Sequence, residues 1–133
     1  MKTVVRAGLV AVLATALAAP VQAATVKQVT STCNAGGFSG TFTLRYETSG
    51  GYHHPIGSIT TSGPYIGDSG TQTLRISYSD GLGTHAVYSW TGPATNGTQY
   101  FPTGLSIPAT ARGTASTKFD NGTTACTATV PIT

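Results

Sequence analysis

The side chains best suited to chemistry in this 133-residue chain are three histidines, two of them adjacent. His53 and His54 are neighbours, and His85 lies further along the chain. Imidazole groups bind metals and titrate near neutral pH. A zinc site needs three or four ligands, and His85 is the only imidazole that remains to add to the pair. We therefore predict that residues 52–55 form a solvated loop and that the chain holds no metal or other cofactor.

A second candidate for chemistry is Asp80 with His85, because the two residues flank a predicted tight turn. An Asp–His pair beside a serine would resemble a hydrolytic site. No serine has the sequence surroundings of a nucleophile elbow. Aspartate is also a preferred residue in tight turns, which accounts for Asp80 without a catalytic role. Glycoside cleavage requires two carboxylates at one bond, whereas Asp80 and Asp120 fall in turns and Glu47 ends a strand. The sequence thus predicts no catalytic residue and a protein that is not an enzyme, with a hydrolase using Asp80 and His85 as the alternative.

Four aromatic residues fall outside the regular inward-facing positions, and they are the candidate ligand-binding residues: Tyr52, Tyr65, Tyr100 and Phe101. Aromatic side chains in the loops of a β-domain form platforms for sugar rings or anchors for proteins. The competing interpretation is that they cap the ends of the core. The pattern favours an extracellular carbohydrate or protein as the partner.

The two cysteines, Cys33 and Cys126, lie near opposite ends of the chain. In an exported protein such a pair forms a disulfide, and with two cysteines there is one possible pairing. A metal site or a reactive thiol is the alternative, but neither has a supporting neighbour in the sequence. The bridge requires the first and last predicted strands to be neighbours in one sheet or to face each other across the core, because bridged Cα atoms lie within about 7 Å.

The N-terminus has the order of a bacterial signal peptide. Lys2 and Arg6 precede an apolar run at 7–19, and a small-residue cleavage site follows. The run is shorter than the roughly 20 residues of a membrane span, which argues against an uncleaved anchor. We predict a signal peptide over residues 1–23, a single domain over residues 24–133, and secretion with no membrane association after cleavage.

The charge of the chain argues against nucleic acid as a partner. The net charge is +3, but two of the seven basic residues belong to the predicted leader. The remaining five bases face four acids and are spread along the chain without a run. Nucleic-acid binding requires a clustered basic footprint, so we predict no nucleic-acid partner.

Apolar residues recur at every second position after the leader, which is typical of strands with one buried face. The clearest strands are expected at 38–46, 72–79 and 111–119. Further strands are expected over the ranges 26–33, 56–62, 84–91, 99–107 and 126–132, with hairpin turns at 80–83 and 120–123. This pattern predicts an all-β fold, an antiparallel β-sandwich of seven to eight strands.

In size and strand count the chain resembles the immunoglobulin-like sandwich, with Trp90 between the two cysteines. It departs from that family because its cysteines lie on terminal strands. In composition and length it is similar to small secreted actinobacterial carriers of the neocarzinostatin type, which have two disulfides where this chain has one. These observations predict a secreted binding or surface-interaction module, with a small-molecule carrier containing an apolar cleft as the alternative.

Overall fold

The computed structural model describes residues 25–67 and 70–133, and the predicted signal peptide lies outside these residues. All regular secondary structure in the described residues is β-strand. The strands in chain order are β1 (Val26–Ala35), β2 (Phe38–Ser49), β3 (Tyr52–Gly63), β4 (Thr71–Asp80), β5 (Gly83–Pro93), β6 (Gly97–Tyr100), β7 (Ile107–Pro108), β8 (Arg112–Asp120) and β9 (Ala125–Ile132). None of the described segments is a helix that would cross a membrane.

The strands form two antiparallel sheets, so the predicted β-sandwich is confirmed. The first sheet has the order β1-β2-β3-β6, with the short β7 also paired to β3. The second sheet has the order β5-β4-β8-β9. The count in the described residues is nine strands where seven to eight were expected, because the predicted strand at 99–107 is interrupted and contributes both β6 and β7.

The core forms from the strands in which apolar and polar residues alternate most regularly. Phe42, Leu44 and Tyr46 of β2 have no exposed surface, and Leu74 of β4 is equally enclosed. From β8 and β9, Phe119 and Ile132 fill the opposite side of the same core. Burying such side chains contributes roughly 1.5–3 kcal/mol each. The alternating pattern of the sequence therefore identifies the residues that hold the two sheets together.

The disulfide joins the sheets across the core. Cys33 on β1 and Cys126 on β9 are bridged, with their Cα atoms 5.7 Å apart. Cys33 pairs with Gly40 in the first sheet, and Cys126 pairs with Phe119 in the second. Of the two arrangements that the sequence allowed, the structure has the one in which the terminal strands belong to different sheets.

One part of the sequence interpretation was wrong. Residues 52–55 are not a solvated loop, because they begin β3 and His53 is buried. The predicted strand at 84–91 is present as β5, but its alternation breaks: Ala86 and Tyr88 lie on opposite faces, because an irregularity in the β4–β5 pairing leaves one extra residue on β5. Ala86 is consequently exposed. A bulge of this kind shifts the alternation by one residue, which the sequence pattern alone does not reveal.

Candidate functional site

A second bulge, in β3, brings two separate segments of that strand to the same outer face. Arg45 pairs with Gly57 while Tyr46 pairs with Pro55, so Ile56 is the extra residue. Before the bulge, Tyr52 and His54 point outward, because the alternate positions are buried. After it, Gly57 takes the outward position. The bulge therefore places residues of opposite sequence parity on one surface.

Tyr100 reaches this surface from the adjacent strand. It pairs with Gly57, which carries no side chain, and 72% of its surface is exposed. A Cβ atom on Gly57 would lie 2.6 Å from the carbonyl oxygen of Gln99, so a larger residue would force β6 away. Gly57 thus allows β6 to pair closely enough to present the Tyr100 ring.

The polar residues of the surface come from β2. Arg45 lies on the other side of Gly57 from Tyr100, and Glu47 lies opposite His54. The Nε atom of Arg45 is enclosed and has no hydrogen-bond partner among the described residues. This enclosure means that the guanidinium stem lies against the sheet and does not extend freely into solvent.

The ring of His54 is oriented by a backbone carbonyl. Its Nδ1 lies 3.1 Å from the carbonyl oxygen of Leu105, and a carbonyl can only accept. Nδ1 therefore carries the proton, and in the neutral ring Nε2 is an acceptor. The rings of His54 and Tyr52 lie side by side, with centroids 6.4 Å apart.

The segment between β6 and β7 leaves a shallow depression beside this surface. Phe101 donates its backbone N–H to Ile56, and β7 returns to pair with Tyr52 and His53. The depression has a volume of about 240 Å³ and is lined by the β3 bulge and by residues 101–105. It lies along the edge of β3, between the pairing positions of Tyr100 and Tyr52.

We call the outward surface of the first sheet formed by Arg45, Glu47, Tyr52, His54 and Tyr100 the tyrosine face. Two of the four predicted ligand-binding residues belong to it, since Tyr52 and Tyr100 are 46% and 72% exposed.

The other two predicted residues do not belong to the tyrosine face. Phe101 is buried against Tyr88 of the second sheet, with ring centroids 5.5 Å apart. Tyr65 packs edge-on against Phe38, and its hydroxyl is hydrogen-bonded to Ser62. For these two residues the interpretation as caps of the core fits the structure.

The adjacent histidines do not form one site, because neighbouring residues of a strand point to opposite faces. His53 faces inward, where its Nδ1 lies 2.7 Å from the hydroxyl oxygen of Thr48. Burial lowers the pKa of His53, and electrostatic interactions with Lys27 and His54 lower it further. Among the described residues, no three histidine, cysteine or acidic side chains are grouped as metal ligands would be.

Asp80 and His85 do meet, with Nε2 of the ring 3.0 Å from a carboxylate oxygen. The same oxygen accepts the backbone N–H of Leu82, and the ring stacks on Tyr78 at 4.8 Å. The Leu82 N–H and the His85 ring lower the pKa of Asp80. No serine hydroxyl is hydrogen-bonded to His85 in the described part of the chain, and the pair closes the β4–β5 turn at the surface.

Sequence analysis missed Arg45, Glu47 and His54 as members of one surface. Arg45 and Glu47 were recognisable as outward residues of β2, but their neighbours on β3 depend on the register and on the bulge. Comparisons with known protein families, with curated proteins and with solved structures found no match for this chain.

Proposed function

We propose that this protein is an exported, non-catalytic module that binds a carbohydrate chain on the tyrosine face. The observation that carries the proposal is the presence of two exposed tyrosines, Tyr52 and Tyr100, on one side of one sheet, with the charged residues Arg45 and Glu47 beside them on β2. Large exposed aromatic residues are costly to leave in water, and they are enriched at binding surfaces.

The chemistry of the tyrosine face matches that of a sugar. The ring faces of Tyr52 and Tyr100 offer apolar area to the C–H side of a pyranose, and their hydroxyls remain in water. Arg45 only donates hydrogen bonds, a carboxylate such as that of Glu47 only accepts them, and the His54 ring in its neutral form accepts through Nε2. A sugar hydroxyl both donates and accepts, so this mixture satisfies it in either role.

The dimensions of the tyrosine face favour a chain of sugars over a single ring. Tyr52 and the position opposite Tyr100 are separated by the length of β3 that contains the bulge. At about 3.3 Å per strand residue and 4.8 Å between strands, the two tyrosine Cα atoms lie roughly 14 Å apart. One pyranose does not bridge that distance, whereas an oligosaccharide does.

Export is part of the proposal. The order of charges, apolar run and small residues at the N-terminus supports a bacterial signal peptide over residues 1–23. The Cys33–Cys126 disulfide supports an oxidising, extracellular location. Mass measurement of the protein from a culture supernatant tests both, with Ala24 as the expected first residue.

Affinity electrophoresis and calorimetry against a panel of neutral soluble polysaccharides test the binding. The panel comprises a β-glucan, a xylan, a galactomannan and chitin oligosaccharides. Tyr52→Ala and Tyr100→Ala should each weaken binding about tenfold, since each removes an aromatic anchor. Tyr100→Phe keeps the ring and should retain most of the affinity. Leu82→Ala is the control, because Leu82 is 91% exposed on a turn of the other sheet.

Three results would count against the proposal. Binding of no member of the panel would remove its basis. Equal binding by the wild type and a Tyr52→Ala/Tyr100→Ala double variant would move the site elsewhere. Release of new reducing ends from a bound polysaccharide would contradict the non-catalytic role.

A further inference from the structure

The outer face of the second sheet gathers three cations from two strands that are distant in the sequence. Arg75 lies on β4, and Arg112 and Lys118 lie on β8. Arg75 pairs with Ser116, two residues from Lys118 and four from Arg112. All three alternate with buried residues, so they point away from the core. The spread of bases along the sequence concealed this group, which we call the cationic face.

The cations of the cationic face form no ion pair with a carboxylate of the described residues. The only ion pair among the described residues is that of Asp80 with His85. The nearest acid on the same side is Asp120, two residues beyond Lys118, and its Oδ1 accepts the backbone N–H of Gly122. Three positive charges therefore share this face with one acid at its end.

Hydroxyl groups surround the cations. A shallow depression of about 470 Å³ lies on the cationic face, and its lining consists of Arg75, Lys118 and four hydroxyl residues: Thr73, Thr91, Ser116 and Thr127. The outward positions of β4, β8 and β9 carry no aromatic side chain within the described residues. On these three strands the surface therefore offers positive charge and hydrogen bonds without an aromatic ring, whereas on the neighbouring β5 Tyr88 lines a second depression together with Arg75.

We propose that the cationic face binds an acidic polysaccharide, a sugar chain that bears carboxylates at intervals. Strand geometry places Arg75 roughly 8 Å from Lys118 and 14 Å from Arg112, measured between Cα atoms. Charges at this spacing match a polymer in which acidic sugars recur along the chain. The Thr and Ser hydroxyls are partners for the sugar hydroxyls, and the guanidinium groups bind carboxylates in a bidentate manner.

Charge complementarity favours this polymer over a nucleic acid. Single-stranded nucleic acids are bound by basic grooves with aromatic platforms, and the described outward positions of β4, β8 and β9 carry no aromatic side chain. Duplex DNA carries one charge per about 1.7 Å and requires a denser basic surface than three cations. The inference does not depend on the tyrosine face, which lies on the other sheet.

The test uses purified protein with polygalacturonate and with the same polymer after full methyl esterification, which removes the charge and keeps the backbone. Calorimetry should show binding to the acid form, weakening as salt is raised, because ion contacts are screened. Arg75→Gln/Lys118→Gln should lower the affinity at least about tenfold. Lys27→Gln removes one charge from the first sheet and is the control. Thermal unfolding verifies that each variant is folded.

Several outcomes would overturn the inference: no binding to polygalacturonate, equal binding to the esterified polymer, or unchanged affinity in the folded double variant. Binding of single-stranded and of duplex DNA is measured in the same way. Tighter binding of either DNA than of polygalacturonate, lost in the same double variant, would assign the cationic face to nucleic acid. Because the tyrosine face is tested with neutral polymers and with Tyr52 and Tyr100 variants, failure of one proposal is distinguishable from failure of the other.

Discussion

The ring of Phe119 occupies the space where a side chain on Gly40 would lie. Gly40 is in the first sheet beside Cys33, and Phe119 is in the second sheet beside Cys126. Because Gly40 has no side chain, the Phe119 ring of the opposite sheet packs directly against the backbone of β2, next to the disulfide. This fit allows the two sheets to approach closely where the bridge closes them.

Gly40→Ala should destabilise the fold. The new Cβ would meet carbon atoms of the fully buried Phe119 ring, which has no free space to move into. Overpacking of this kind costs about 1–3 kcal/mol. Chemical denaturation measures the change. Gly81→Ala is the matched control, because a Cβ there meets nothing within 4 Å, and a loss as large in Gly81→Ala would refute the packing explanation.

Replacing both cysteines with serine should remove much of the stability. The bridged residues are 93 positions apart, so the disulfide restricts a long loop in the unfolded chain. Chain-entropy estimates for such a loop are about 4–5 kcal/mol, against a typical total of roughly 5–15 kcal/mol. Denaturant titration of the Cys33→Ser/Cys126→Ser variant measures the loss. A change below about 1 kcal/mol would show that packing alone holds β1 against β9.

Stability should fall as the pH drops below about 6.5. Burial, with electrostatic interactions from Lys27 and His54, lowers the pKa of His53 in the folded protein from its ordinary value of 6.5. Between the ordinary and the lowered pKa the unfolded chain binds the proton more strongly, so acid favours unfolding. His53→Gln should flatten this slope. Denaturation at a series of pH values tests it, and an equal slope in the variant would assign the effect to another group.

The Asp80 carboxyl acts in a separate and more acidic window. Its pKa is lowered from 3.8, first by the Leu82 N–H and next by His85. The stability that it contributes is present above pH 3.8 and is lost as the pH falls through the lowered pKa.

Gly57→Ala should weaken carbohydrate binding without altering any group that contacts the sugar. The added Cβ would lie 2.6 Å from the Gln99 carbonyl oxygen, so β6 would have to move away from β3 and carry Tyr100 with it. Affinity for the polysaccharide identified with the wild type should fall several-fold. Amide hydrogen exchange at residues 97–100 should become faster. Unchanged exchange and affinity together would show that β6 tolerates the side chain.

The candidate site was only partly predictable from the sequence. Tyr52 and Tyr100 were identified because they broke the inward pattern, and both are exposed. Tyr65 and Phe101 broke it in the same way but are packed against Phe38 and Tyr88. Whether an aromatic residue outside the strand pattern is buried depends on the side chains that pack against it from other strands. The sequence of its own strand does not specify those neighbours.

The sequence by itself determined the local features of this protein. Period-two alternation defined the buried faces of β2, β4, β8 and β9, because each side chain's direction follows from its position in an extended strand. The Asp-Gly and Asn-Gly segments defined two hairpin turns, and a count of two cysteines defined the disulfide. Only the tertiary structure decided which residues became neighbours across strands. Register and the β3 bulge assembled the tyrosine face, and the β4–β8 register assembled the cationic face, because pairing between strands depends on packing over the whole core and is not encoded in any one segment.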